Sequence, residues 1–172
     1  MCITIVTYNR RPILTTREGR RLLHAAIDTV REERPFHFTA TVLLPDHWHM
    51  VIELPRGDTD YSTRIKRIKE EFTKDWLAAG HPEAAVTASQ RSRGERGVWR
   101  PRFWEHTLRS EEELDACADY IHYNPVKHGL APRVRDWPWS SFHRFVKAGH
   151  YDPEWGGVAP KSLTLKRDWG EP

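Results

Sequence analysis

Cysteine is scarce in this 172-residue chain: Cys2 and Cys117 stand far apart and in no metal-ligand spacing. That argues against a disulfide framework and against a cysteine–zinc site, and no disulfide is expected. Long hydrophobic runs are missing too, since no stretch approaches the roughly 20 apolar residues that span a bilayer. The opening MCITIVTYNRRPIL lacks the basic start, apolar middle and small-residue cleavage site of a signal peptide. A cytoplasmic protein without a membrane partner is therefore expected. Nor is there a strong charge bias, because 27 Lys and Arg stand against 24 Asp and Glu. The resulting net charge of +3 says little about nucleic acid. No internal repeat is visible.

What is present is a globular composition, 38% hydrophobic and 30% charged, which excludes a disordered or membrane-embedded chain. The length fits one domain, expected over residues 1–157, followed by a loose tail over 158–172. The cations cluster. In RSRGERGVWRPR (residues 91–102), Arg91, Arg93, Arg96, Arg100 and Arg102 face the lone Glu95, and Arg64, Lys66, Arg67, Lys69 and Lys74 crowd another short segment. Interleaved with Trp76, Trp99, Phe103 and Trp104, they suit a phosphate backbone and unstacked bases. A solvated helix beside a basic loop has the same signature.

Residues 2–8 (CITIVTY) are rich in β-branched side chains and read as a strand. Leu22, Leu23, Ala26, Ile27 and Val30 recur at helical spacing between about Thr16 and Arg34, and Pro35 closes that helix. FHFTATVLL (36–44) and HWHMVIEL (47–54) read as strands joined through Pro45-Asp46, an antiparallel hairpin. Thr59 or Ser62 is expected to cap a helix to about Ala79 with the stripe Ile65, Ile68, Phe72, Trp76. Residues 80–98 read as a mobile loop, and 102–108 (RFWEHTL) as a strand. Ser110 and Glu113 form a capping-box pattern opening a helix through Leu114, Cys117, Ala118 and Ile121, which Pro125 should end. The order matches a ferredoxin-like βαββαβ α+β fold: an antiparallel sheet with helices on one face, then a C-terminal helix. Beyond Leu130 the Trp- and Pro-rich DWPWSSFHRF should wrap the domain irregularly, with Trp137 and Trp139 as packing residues.

Two fragments carry chemistry. His47 and His49 flank Trp48 on one strand, so a side-chain period of two sends both imidazoles to one face and Trp48, Met50 and Ile52 to the other. Two adjacent imidazoles can bind one divalent cation, although His-x-His also arises by chance. Asp46 can orient an imidazole or simply shape the turn. Tyr120 and Asn124 sit four apart on the last helix, about 40° apart around its axis at roughly 100° per residue. Taken together, two histidines and an oxygen donor would hold a hard cation, Mg2+ or Mn2+, beside a tyrosine nucleophile. Tyrosine attack on a phosphodiester conserves the bond energy in a phosphotyrosine, so no nucleotide cofactor is needed for rejoining.

These residues and their surroundings resemble a known family, the REP-associated tyrosine transposases, a branch of the HUH single-strand nucleases. The resemblance runs through VTYNRRPIL (6–14), LPDHWHMVIELPRGD (44–58), RIKRIKEEF (64–72), GERGVWRPRFWEHTLR (94–109), DYIHYNPVKHGL (119–130) and DWPWSSFHRF (136–145). It implies Tyr120 as catalytic residue, His47, His49 and Asn124 as metal ligands, and hairpin DNA of extragenic palindromes as substrate. One departure is at the start, where the family has a few Gly-Thr-Tyr-Phe-like residues before the first strand. Arg100, Arg102 and Trp104, with Lys69, Lys127 and His128, are the expected DNA contacts; His106 is an accessory candidate. The leading expectation is an enzyme that cuts and rejoins single-stranded or hairpin DNA, as monomer or homodimer. A hairpin-binding protein without cleavage, and a metal hydrolase of small phosphoesters using activated water, are the alternatives.

Overall fold

Alternation along the first strand separates two cores. In the computed structural model, which describes residues 1–157 and 169–170, β1 (Cys2–Val6) is buried at every position. Such a strand must be covered on both faces and paired at both edges. It lies between β3 (His47–Glu53) and β4 (Trp104–His106), and β2 (His37–Leu43) closes the far side in the order β2-β3-β1-β4. Every neighbouring pair is antiparallel. This is the expected ferredoxin-like sheet.

One face buries Ile3, Ile5, Trp48, Met50 and Ile52 beneath α1 (Arg17–Glu33) and α2 (Tyr61–Ala78). The helices present Leu22, Leu23, Ala26 and Val30, and Ile65, Ile68, Phe72 and Trp76, as their spacing predicts. Each large apolar side chain so buried contributes about 1.5–3 kcal/mol. Thr16 caps α1 through Gly19. The cap of α2 is Asp60, which accepts from the Thr63 amide, and neither Thr59 nor Ser62 fills that place.

The opposite face carries Cys2, Ala40, Val42 and Val51 against Ala116, Cys117, Ala118 and Ile121 of α4 (Glu111–Lys127). Ser110 caps α4 by accepting from the Glu113 amide, while the Glu113 carboxylate accepts from the amide of Arg109, one residue earlier than a reciprocal box requires. Pro125 does not end this helix. It lies inside the helix, where its missing N–H removes one i→i−4 bond, and the helix nevertheless continues through Lys127.

Other expectations need correction. Residues 80–98 are not a structureless loop: α3 (Ala88–Ser92) forms behind a full Thr87–Gln90 capping box, and Arg96 pairs with Glu83 at 2.5 Å. Gly97 is needed there, since a Cβ would collide with the Ala84 backbone that bridges to it. Cys2 and Cys117, expected to be unpaired, form a disulfide between β1 and α4. They are 115 residues apart, and only the packing of α4 on the sheet brings them together. After Leu130 a 3-10 turn (Val134–Asp136) and α5 (Phe142–Lys147) interrupt the irregular path, and Trp137 and Trp139 pack in the second core. The expected tail lies outside the described residues except for Trp169 and Gly170, and Trp169 is buried. Among the described residues no helix is long and apolar enough to cross a membrane.

Candidate active site

The buried centre of the sheet face beneath α4 is apolar around one polar cluster of Thr4, His47 and His49. Pairing places His49 of β3 between Val42 of β2 and Thr4 of β1, and Thr4 in turn beside Trp104 of β4. His47 stands one step along, opposite Val6. Both histidines are buried, each with 1% of its surface exposed, and their rings lie 4.9 Å apart. The period of two therefore delivers the pair to one face as expected.

Each imidazole is held through Nδ1. His47 Nδ1 lies 2.7 Å from Asp46 Oδ1, and the other Asp46 oxygen accepts from Arg10 Nε at 2.5 Å. Burial alone would raise the Asp46 carboxyl, but the His47 hydrogen bond and the His47 and Arg10 charges outweigh it, leaving the group below the usual carboxylate range. His49 Nδ1 lies 2.6 Å from Thr4 Oγ1. Burial, then the charges of His47, His128 and Lys127, push the His49 imidazole well below its ordinary value, only partly opposed by the Asn124 side chain. A neutral imidazole is the form that ligates metal.

From the other side α4 lowers Tyr120 and Asn124 onto the histidines. The Tyr120 ring meets the His49 ring edge-on at 5.2 Å, with 4% of the residue exposed. Asn124 is fully buried and its Nδ2 donates to the Tyr120 carbonyl at 3.0 Å. Because a carbonyl only accepts, that bond identifies the amide nitrogen and leaves Oδ1 free to face the histidines. His47 Nε2, His49 Nε2 and Asn124 Oδ1 are all buried without a hydrogen-bond partner. Buried polar atoms are ordinarily satisfied, so three unsatisfied lone pairs in one pocket fit a bound cation. Among the described residues no three His, Cys, Asp or Glu side chains gather into a metal cage; the third donor here is an amide oxygen.

Over residues 1–124 the chain matches the family described as transposase IS200-like. The chain belongs to that family. An Escherichia coli relative, named REP-associated tyrosine transposase, is 40% identical over 154 residues, 90% of this chain and 82% of that protein. A Haemophilus influenzae relative is 43% identical over 137 residues, 80% of this chain and 75% of that protein. A solved structure of a REP-associated tyrosine transposase bound to a REP hairpin matches with a TM-score of 0.77 at 35% identity, covering 99% of this chain and 90% of that one.

The remaining candidates of this IS200-like transposase divide into four groups. Lys127 and His128 stay at the site, the Lys127 ammonium 4.9 Å from the centre of the Tyr120 ring and the His128 ring 5.1 Å from that of His47. Arg100, Arg102 and Trp104 line a cleft of about 780 Å³ that reaches Thr4. Lys69 is turned inward, donating to the Arg100 and Pro101 carbonyls at 2.7 and 3.0 Å, and burial brings its ammonium down to about 8. It shapes the loop carrying Arg100. His106 lies 3.5 Å from Glu113 and pairs with Cys2 in the sheet, outside the polar cluster.

Arg64 leaves the basic patch altogether, since it is 2% exposed and bonded to Asp58 and three carbonyls. Sequence reasoning missed Thr4 and Arg10. Thr4 had a legible signal, being the one polar side chain in the otherwise apolar run CITIV. Arg10 had none, because its reach to Asp46 depends on left-handed backbone at Asn9 and Arg10, both at φ 54°.

Proposed function

We propose that this chain is a metal-dependent single-strand DNA endonuclease and strand transferase, acting beside hairpins of repetitive extragenic palindromes through Tyr120. The observation that carries it is the convergence of three buried, unpartnered donors, His47 Nε2, His49 Nε2 and Asn124 Oδ1, beneath the Tyr120 ring. The hairpin is the substrate class because the related solved structure is bound to one.

His47, His49 and Asn124 would hold Mg2+ or Mn2+, which supplies Lewis-acid polarisation of the scissile phosphate and favours the phenolate. Tyr120 Oη attacks phosphorus in line. A phosphotyrosine bond forms as the phosphorus–oxygen bond to the leaving strand breaks, and the departing oxygen takes a proton to become a DNA hydroxyl. Attack by another DNA hydroxyl reverses these steps and restores the phenol, without a nucleotide cofactor. Lys127, over the ring, offsets negative charge on the phenolate and the phosphate. Arg100 and Arg102 neutralise backbone phosphates along the cleft while Trp104 offers a face for an unpaired base.

The test is a labelled hairpin oligonucleotide with single-stranded flanks, incubated with Mg2+ or Mn2+ and either wild type or Tyr120→Phe. A covalent adduct in wild type that vanishes in the variant is the expected result. Binding by both proteins with cleavage by neither would make this a hairpin-binding protein. Cleavage retained by Tyr120→Phe would point to an activated water instead.

A further inference from the structure

The two histidines are oriented by different chemistry, and the less obvious of the two orienting groups sits on another strand. Asp46 next to His47 is a carboxylate and can only accept, so His47 Nδ1 carries the proton. Thr4 beside His49 is a hydroxyl, able to donate or accept, and its role depends on where its single proton goes. The Trp169 carbonyl, which can only accept, lies 3.4 Å from Thr4 Oγ1 and offers an acceptor for that proton. With the proton directed there, a hydroxyl lone pair would meet His49 Nδ1, 2.6 Å away, and the imidazole would supply the proton of that contact.

From this geometry we infer that Thr4 is a positioning residue for the metal site. By accepting from His49 Nδ1–H it holds the ring in the tautomer whose Nε2 lone pair faces His47 Nε2 and Asn124 Oδ1. The inference rests on the metal-dependent reading above and adds a residue to it.

Three features make Thr4 suited to this. It lies directly opposite His49 in the β1–β3 pairing, so the sheet ladder sets the separation of the two residues. β1 is interior, bonded on both sides, and Thr4 is 1% exposed, so its hydroxyl is held by protein partners rather than by bulk solvent. A β-branched side chain on a strand also has restricted χ1 freedom, which holds the oxygen in place. Without that acceptor the imidazole can rotate or move its proton to Nε2, which would remove one donor from the trio. Outer partners of this kind are worth about 10–100-fold in metal affinity.

The experiment measures Mn2+ binding to the full chain without DNA, by electron paramagnetic resonance, for wild type, Thr4→Val and Thr4→Ser. Thr4→Val should weaken the Mn2+ dissociation constant roughly 10–100-fold, and Thr4→Ser should recover most of it. Circular dichroism checks that each variant keeps the fold. Nitrogen-15 shifts of the metal-free wild type should show His49 protonated at Nδ1, a readout that needs no variant to fold. An Nε2–H tautomer, or Thr4→Val binding Mn2+ as wild type does, would overturn the role of Thr4 alone. Wild type that binds no Mn2+ at the His47–His49 pair would overturn the metal-dependent reading and this inference with it.

Discussion

The Asn124 side chain donates to the carbonyl of Tyr120 one helical turn earlier, at 3.0 Å, so the proposed amide ligand and the proposed nucleophile are held by one bond. The bond uses the nitrogen of Asn124 and leaves its buried oxygen without a hydrogen-bond partner. Asn124→Ala removes both functions. Adduct formation on hairpin DNA should fall at least about 10-fold, with Mn2+ binding weakened in parallel and hairpin affinity little changed. Equal Mn2+ binding by wild type and variant in a direct titration would remove Asn124 from the ligand set.

Arg100 and Arg102 are exposed at the cleft, whereas Lys69 is occupied by backbone carbonyls. Each arginine to alanine should weaken DNA binding uniformly across sequences and reduce the salt slope of log affinity by about 1. Lys69→Ala should instead act on the loop, changing affinity with little change of slope. Titrations at several salt concentrations distinguish the two.

Arg64 is buried among Asp58 and the carbonyls of Arg34, Pro35 and Asp60. Truncation to alanine removes the donor to Asp58 Oδ2 and to these carbonyls, and should destabilise the fold by roughly 1–3 kcal/mol. Urea denaturation measures this; a midpoint unchanged from wild type would refute it.

Acid should unfold the protein partly through His122. This imidazole is fully buried, with Nε2 2.8 Å from Ser141 Oγ, and burial, then the charges of Arg144 and His143, bring it down to about 3. Its unfolded-state value is near 6.5. Between those values the unfolded chain binds more protons, so stability falls as pH drops below 6.5 and the loss is complete near 3. At about pH 5 the expected loss is roughly 2 kcal/mol. Urea midpoints at about pH 7.5 and about pH 5 measure it. His122→Gln, which does not titrate, should shrink the difference between them.

Much of the architecture was legible because local patterns carried it. The apolar spacing of Leu22 to Val30 and of Ile65 to Trp76 marked two helices, and the alternation through His47-Trp48-His49 assigned both imidazoles to one face before any coordinates. The errors fell where long-range contacts compete with local signals. Asp60, not Thr59 or Ser62, caps α2, and α4 runs past Pro125 to Lys127 at the loss of one helical hydrogen bond. The 80–98 segment looked structureless because its order comes from a bridge to Gly97 and an ion pair from Arg96 to Glu83 rather than from periodicity.

By itself, the sequence determined which residue types are available and on which side of each element they lie: two imidazoles on one strand face, a phenol and an amide on one helix side, a run of arginines before the fourth strand. Those are consequences of the fixed repeats of strand and helix, 2.0 and 3.6 residues. Only the tertiary structure decided which faces meet. Packing α4 on the His47–His49 face placed Tyr120 over His49 and joined Cys2 to Cys117, pairing of β1 with β3 set Thr4 against His49, and contacts of α2 with neighbouring loops withdrew Lys69 and Arg64 from the basic surface. None of these follows from spacing along the chain, because each depends on strand order and helix docking, where residues distant in sequence exchange water for one another.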